Sequence, residues 1–333
     1  MSLPSTAKRL LAAVAAFGIL AGPFAAAPAH AQAANWPAKQ LTLIVPFPPG
    51  GGADTIGRFY AEQLSAALGQ PVVVENKPGA GTAIAAEYVA KAAPDGYTLS
   101  LATAGQLTIL PNLAKELRFD PEKSFAPVSV VASIPNVIAV NGNLGVNSLQ
   151  ELIAAAKAKP GAITYSSCGN GTLCHLAGEL FKSLAGVDLL HVPYKGSAPA
   201  ITALLGGEVD VSVDTLTILS PQIRAGKVKG LVLSTAERSP LLPDVPSAAE
   251  AGVPDFITSG WFGIVLPAGT PNAIVERLNG EIAKIAKAPS TSERFAQNGI
   301  TVEYTSPAQF ASLIHDDRVR WGKVVAASGA KIE

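Results

Sequence analysis

Charge is scarce in this chain of 333 residues, and what there is cancels: 25 Lys and Arg stand against 25 Asp and Glu, together 15% of the sequence. A surface so balanced offers no electrostatic attraction to nucleic acid or to anionic lipid. Cysteine is limited to Cys168 and Cys174, and histidine to His30, His175, His191 and His315. Their spacing matches no zinc motif, so neither a metal site nor a cofactor is expected. No fixed short repeat is present, and no low-complexity tract follows the N-terminal segment, which excludes solenoids and linker-rich chains.

Long apolar runs are also missing, with one exception at the start. Lys8 and Arg9 precede LLAAVAAFGILAG, and small residues then lead to Ala29-His30-Ala31. The pattern predicts a secretory signal peptide over residues 1–31, cleaved after Ala31; the apolar core falls short of the ~20 residues of a membrane span. Pro, Gly or charged residues interrupt every later hydrophobic stretch, so the mature chain reads as soluble, exported and long enough for two lobes.

The remainder alternates between two periodicities. LTLIVPF, PVVVEN and YTLSLAT read as strands, separated by the helical patterns TIGRFYAEQLSAALG and AIAAEYVAKAAP. APVSVVASIPNVIAVN is a long β-branched stretch that fits a strand crossing between lobes. The same grammar then repeats through SLQELIAAAKAKPG, ITYSS, CHLAGELFKSLAG, APAITALLGG, VDVSVD, TILSPQIRAG and VKGLVLST. PLLPDVPSAAEAGVP reads as a proline-rich surface connection, SGWFGIVLPAGTP as a strand and turn, AIVERLNGEIAKIAKAP as a helix, and VRWGKVVAASG as a short terminal helix on the first lobe. The expected fold class is α/β with a largely parallel sheet: a discontinuous lobe 1 over 32–132 and 256–333, and a lobe 2 over 133–255.

Two glycine turns carry the chemistry. In VPFPPGGGAD a strand end passes through Gly50-Gly51-Gly52 into a helix, with Asp54 placed to cap it. The second lobe has an equivalent turn, Cys168-Gly169-Asn170-Gly171-Thr172, before Cys174 and His175. Glycine lets backbone approach a ligand, and a helix start presents unpaired N–H groups with partial positive charge, which suits a carboxylate or phosphate. A capped strand-to-helix turn is the plain alternative for either loop alone; their pairing points to a clamshell with ligand in the crevice. Ser166, Ser167, Cys168, Cys174 and His175 supply nucleophiles and a base, but the segment lacks Gly-x-Ser-x-Gly and no motif places an acid, so no catalytic residue is assigned. Cys168 and Cys174 allow a local disulfide, provided the helix starting between them brings their Cα atoms within roughly 7 Å. Lys77-Pro78-Gly79-Ala80-Gly81-Thr82 lacks the ending of a Walker loop and reads as a turn capping the next helix. Tyr194 reads equally as a cleft wall or an ordinary strand end, and Trp261 as core or hinge packing.

Taken together, VPFPPGGGAD, VENKPGAGT, AKAAPDGYTL, SSCGNGT followed by HLAGELF, HVPYKGSAPA and LPAGTP resemble the Bug family of extracytoplasmic solute receptors, the binding proteins of tripartite tricarboxylate transporters. The motifs stand in family order over essentially the whole mature chain. The resemblance implies a type II periplasmic-binding-protein fold, two α/β lobes hinged by crossing strands over a central cleft. It implies a small carboxylate as ligand, the membrane subunits of a transporter as partners, a monomer, no nucleic acid and no enzymatic activity; a sensor for a signalling partner or an exported hydrolase would be the alternatives. The near carboxylate would be held by main-chain groups and bridging water at Phe47, Gly51, Gly52, Ala53 and Asp54 and at Ser167, Cys168, Asn170, Gly171 and Thr172. The far end would meet Ala104, Gly105, Gln106 and Asp214. A Cys168–Cys174 bridge would stiffen the second loop.

Overall fold

The computed structural model describes residues 35–114 and 116–328; the expected leader at 1–31 lies outside them. The first half alternates β1 (Leu41–Val45), α1 (Gly52–Leu68), β2 (Val72–Asn76), α2 (Ala83–Ala90) and β3 (Thr98–Thr103). A π-helical turn, Gly105–Ile109, then runs into the short α3 (Leu110–Leu113). Helix α1 ends where Gly69 adopts φ 68° and its N–H returns to the Ser65 carbonyl, a left-handed C-cap that glycine enters without penalty.

The 17-residue β4 (Phe125–Asn141) leads to α4 (Leu149–Ala158), β5 (Thr164–Ser167), α5 (Leu173–Ala185), β6 (Leu190–Pro193), α6 (Ser197–Gly206), β7 (Val211–Thr215), α7 (Leu216–Arg224) and β8 (Val228–Leu233). The chain closes with β9 (Ser259–Pro267), α8 (Asn272–Lys287), α9 (Pro289–Ala296), β10 (Thr301–Val302) and α10 (Pro307–Ser328).

Strand order is β2-β1-β3-β9-β4-β7-β5-β6, with β8 and β10 also pairing with β4. Pairs of β1 with β2 and β3, and of β5 with β6 and β7, are parallel. The strands joining the halves are not: β9 is antiparallel to β3 and β4, and β4 is antiparallel to β7, β8 and β10. The sheet is therefore parallel only within each lobe, because the connecting strands must run out and return.

Strand β4 pairs with β9 as far as Pro135 and with β7 from Asn136 onward. At that switch the backbone N–H of Asn136 donates to Ser234 Oγ (2.8 Å), Ser234 N–H donates to the Asn136 carbonyl (2.9 Å), and Asn136 Nδ2 donates to Thr258 Oγ1 (3.0 Å). Three passes of chain are tied at one asparagine, as a hinge requires. On one side of it the core gathers Ile44, Val89, Phe125, Val265 and Phe310; on the other, Ile138, Leu152, Tyr165, Phe181, Val213 and Phe256.

Two readings of the sequence are corrected. Residues 240–254 are not a mere surface connection: Val245, Ala248, Ala251 and Val253 are buried, the last three in the second core. The terminal helix begins at Pro307, well before Val319, and its Trp321 packs with Ile109 and with Leu176 of α5, so it touches both lobes.

Candidate ligand-binding cleft

Parallel strands direct their following helices to one end of the sheet, so helix N-termini gather at the cleft. Four do so here. Gly51, Thr172, Gly196 and Thr215 are the N-caps of α1, α5, α6 and α7, and the cleft between them is lined by Gly51, Gly52 and Ala53, by Thr172 and Leu173, by Ser197 and Ala198, and by Thr215. The first N–H groups of each helix have no partner within it and carry the positive end of its dipole. Sequence reasoning located two of these starts. The other two, at Ser197 and Thr215, lack a glycine-rich signature long enough to single them out.

The cleft holds about 700 Å³ of atom-free space, counting its opening to solvent. Phe47, Pro48, Ile134, Leu173, Trp261 and Phe262 supply apolar walls, and no Lys, Arg, His, Asp or Glu lines it. Trp261 is thus a wall residue as well as a packing one: its indole N–H donates to Asp317 Oδ2 (2.7 Å) and its ring meets Phe310 edge-on. Asn136, one of two polar residues in the middle of the crossing strand, lines the same cleft. A wider outer mouth is lined by Gly79 to Ala83, by Asn170 and Tyr194, and by the charged Glu87, Glu116 and Lys195.

Of the residues expected to meet ligand, Phe47, Gly51, Gly52, Ala53, Ala104, Gly105, Cys168 and Thr172 line the cleft, and Asn170 lines its mouth. The others stand behind it. Asp54 lies within the first turn of α1, with Gly51 as N-cap, and its carboxylate accepts from Gly50 N–H (3.0 Å), Arg58 Nε (2.9 Å) and Asn76 Nδ2 (3.0 Å). Burial pushes this carboxyl up, but those hydrogen bonds outweigh it and hold the group below its ordinary 3.8. Because Asn76 Nδ2 also donates to the Phe47 carbonyl (2.8 Å), Asp54 clamps the loop from beneath. Gln106 Nε2 donates to the Thr82 carbonyl (3.0 Å), tying two loops together. Gly171 N–H donates to His175 Nδ1 (3.3 Å).

Ser167 is buried, its Oγ 2.7 Å from His191 Nε2. His191 stacks between Tyr165 and His175, with centroids 4.7 and 4.2 Å away. Burial, then the neighbouring His175 and Lys182, push His191 down to about 3. Imidazole so reluctant to accept a proton is a poor general base, and the pair supports the loop from behind.

Asp214 is fully buried. Its Oδ1 accepts from Ser197 Oγ (2.7 Å) and Thr215 N–H (2.7 Å), which joins the starts of α6 and α7. Burial pushes its carboxyl up to about 6, against the lowering effect of those bonds. Cys168 and Cys174 form a disulfide with Cα atoms 5.8 Å apart, linking the second loop to the first turn of α5 at the cleft wall.

The lobes touch across the mouth where side chains are absent. A Cβ on Gly105 would come 3.3 Å from Leu173 N, one on Gly196 would come 2.9 Å from Pro48 Cδ, and one on Gly81 would fall well inside 3.0 Å of the Asn170 carbonyl oxygen.

Known proteins match this arrangement throughout. Residues 56–330 match the family model described as a tripartite tricarboxylate transporter family receptor. Protein BugT of Bordetella pertussis is 38% identical over 98% of this chain and 99% of its own length. Among solved structures, R. palustris Rpa4515 with adipate is 37% identical at a TM-score of 0.87, covering 90% of this chain and all of that one. MatC from Rhodopseudomonas palustris with bound malate is 33% identical at a TM-score of 0.83, covering 87% of this chain and 100% of that one. Among the described residues no helix is long and apolar enough to cross a membrane. With its fold, its cleft and its full-length likeness to BugT, the chain belongs to the tripartite tricarboxylate transporter receptors of the Bug type.

Proposed function

We propose that the mature chain captures a small carboxylated solute between its lobes and presents it to the membrane subunits of a tripartite transporter. Four helix N-termini converging on a cleft without charged side chains carry this reading, because such a site neutralises a carboxylate through backbone N–H groups. The near carboxylate binds at Gly51, Gly52 and Ala53 from one lobe and at Thr172 from the other, directly or through water, with Ala104 and Gly105 forming part of the far wall. Asp54, Gln106, Ser167 and Asp214 act as supports. That the relatives named above were solved with adipate and with malate favours an organic acid.

Ligand contacts to both lobes favour the closed form, which is the form that docks. The lobes meet at the Asn136 hinge, close to the expected borders of lobe 1 at 32–132 and 256–333 and lobe 2 at 133–255: β4 changes partners after Pro135, just past the first border, and Phe256 is buried in the second core, just past the second. The leader at 1–31 exports the chain to the periplasm, where it works as a monomeric carrier and not as an enzyme.

Thermal unfolding of the mature protein with mono-, di- and tricarboxylates, each beside its uncharged amide, tests the reading. An acid at 100 times its Kd adds about 2.7 kcal/mol of stability, and its amide adds none. Equal shifts with acid and amide, or none with any acid, would overturn it.

A further inference from the structure

The loop read from the sequence as a plain turn reaches the cleft through Thr82, which lines both the cleft and its outer mouth. Gly79, Ala80, Gly81 and Thr82 have φ of 129°, 47°, 59° and 84°, and among the described residues Ala80 and Thr82 are the only non-glycines with positive φ. For a β-branched residue that conformation is costly, and glycine would adopt it freely. Nothing inside the fold rewards the threonine. Its N–H donates to the Gly79 carbonyl (2.9 Å) and its carbonyl accepts from Gln106 Nε2 (3.0 Å), bonds that glycine would make equally well. The hydroxyl, the part glycine lacks, is buried on a residue 3% exposed and has no hydrogen-bond partner.

Strain kept at a cleft and not returned as stability points to function. At the floor of the same cleft Asn136 Oδ1 is likewise buried without a partner, while its Nδ2 is committed to Thr258. We infer that Thr82 is a specificity-determining residue of the first lobe, whose hydroxyl bonds a neutral polar group of the solute, such as a hydroxyl or carbonyl, distinct from its anchored carboxylate. A neutral partner fits because no ionised side chain lines the inner cleft to meet a second charge; Glu87, Glu116 and Lys195 stand only at its outer mouth. Asn136 Oδ1 is a second uncommitted acceptor on a residue that lines the same cleft. The inference rests on the carboxylate-receptor reading.

The test takes the acid that most stabilises the wild-type mature protein in the panel above. Its Kd is then measured by calorimetry for wild type, Thr82→Ser and Thr82→Gly, and the melting temperature of each is recorded. Thr82→Ser is expected to stay within about threefold of wild type and Thr82→Gly to bind about tenfold more weakly, the worth of one hydrogen bond in a dry site. Thr82→Gly is also expected to melt no lower than wild type, since strain is relieved. Unchanged affinity in Thr82→Gly overturns the inference. So does equal loss in Thr82→Ser, which would assign the effect to the methyl group, or a clear fall in melting temperature, which would make the residue structural. A wild type that binds no acid overturns the underlying reading and this one with it, before any variant is made.

Discussion

Gly81 and Gly69 share nearly the same backbone conformation, φ 59° and 68°, but differ in what a methyl group would meet. Alanine at either position pays the left-handed penalty of about 1–2 kcal/mol. At Gly69 the added carbon enters open space; at Gly81 it meets the Asn170 carbonyl oxygen of the opposite lobe, inside 3.0 Å. That oxygen belongs to backbone and cannot rotate away, so the lobes must part by something approaching 1 Å, enough to break hydrogen bonds of ordinary length made from both sides to one ligand. Losing about two hydrogen bonds to a charged group, each worth about 1.5–3 kcal/mol, weakens Kd by at least about 100-fold. Gly81→Ala should therefore lose binding of the wild type's best acid by calorimetry, while Gly69→Ala, with a similar fall in melting temperature, keeps it. Equal affinities in the two variants would refute the reasoning that this contact limits closure.

Two more predictions follow from buried groups near the cleft. Reducing the Cys168–Cys174 bridge, whose cysteines are six residues apart, should lower stability by about 2 kcal/mol, or roughly 5 °C, and loosen ligand binding, as the released loop gains freedom. Calorimetry with and without reductant reads both effects, and unchanged values would contradict a structural bridge. For Asp214 the raised carboxyl sets the sign: the neutral form suits the fold, so its contribution is intact below the ordinary 3.8 and is lost as pH rises through about 6. Urea unfolding should show Asp214→Asn gaining on wild type by about 2 kcal/mol between pH 4 and pH 8. A pH-independent difference would mean that the buried charge is compensated.

Much of the fold is legible in the sequence because strands and helices of a two-lobed α/β protein announce themselves by different periods, and because the long β-branched run of β4 fits a crossing strand. The two glycine turns were legible for the same reason that they work: glycine adopts φ of 92° at Gly50 and 132° at Gly169 without the strain a side chain would bring. What was not legible depends on orientation. Whether Asp214 faces the cleft or the start of α6 turns on a pleat that local composition does not record. Likewise Asp54 reads as a helix cap and, by resemblance, a ligand residue, whereas Gly51 is the cap and the Asp54 carboxylate is taken up by Gly50, Arg58 and Asn76. The start of α10 was masked because ASLIHDDR mixes charge into its apolar stripe. Thr82 escaped notice because a threonine after Gly-Ala-Gly looks like an ordinary cap; it does hold the N-cap position of α2, but at φ 84° and with no capping bond from its side chain.

The central claim is that backbone N–H groups at two facing helix starts, and no basic side chain, hold the solute's carboxylate. Amide chemical shifts of the assigned mature protein, followed while the best-binding acid is added, test it most directly. The account predicts the largest shifts at Gly51, Gly52 and Ala53 and at Leu173, moving toward stronger hydrogen bonding and absent with the matching amide; Thr172 N–H, which already donates to the Gly169 carbonyl (3.3 Å), should move less. Largest shifts around lysine or arginine residues outside the cleft, with those four amides unmoved, would contradict it.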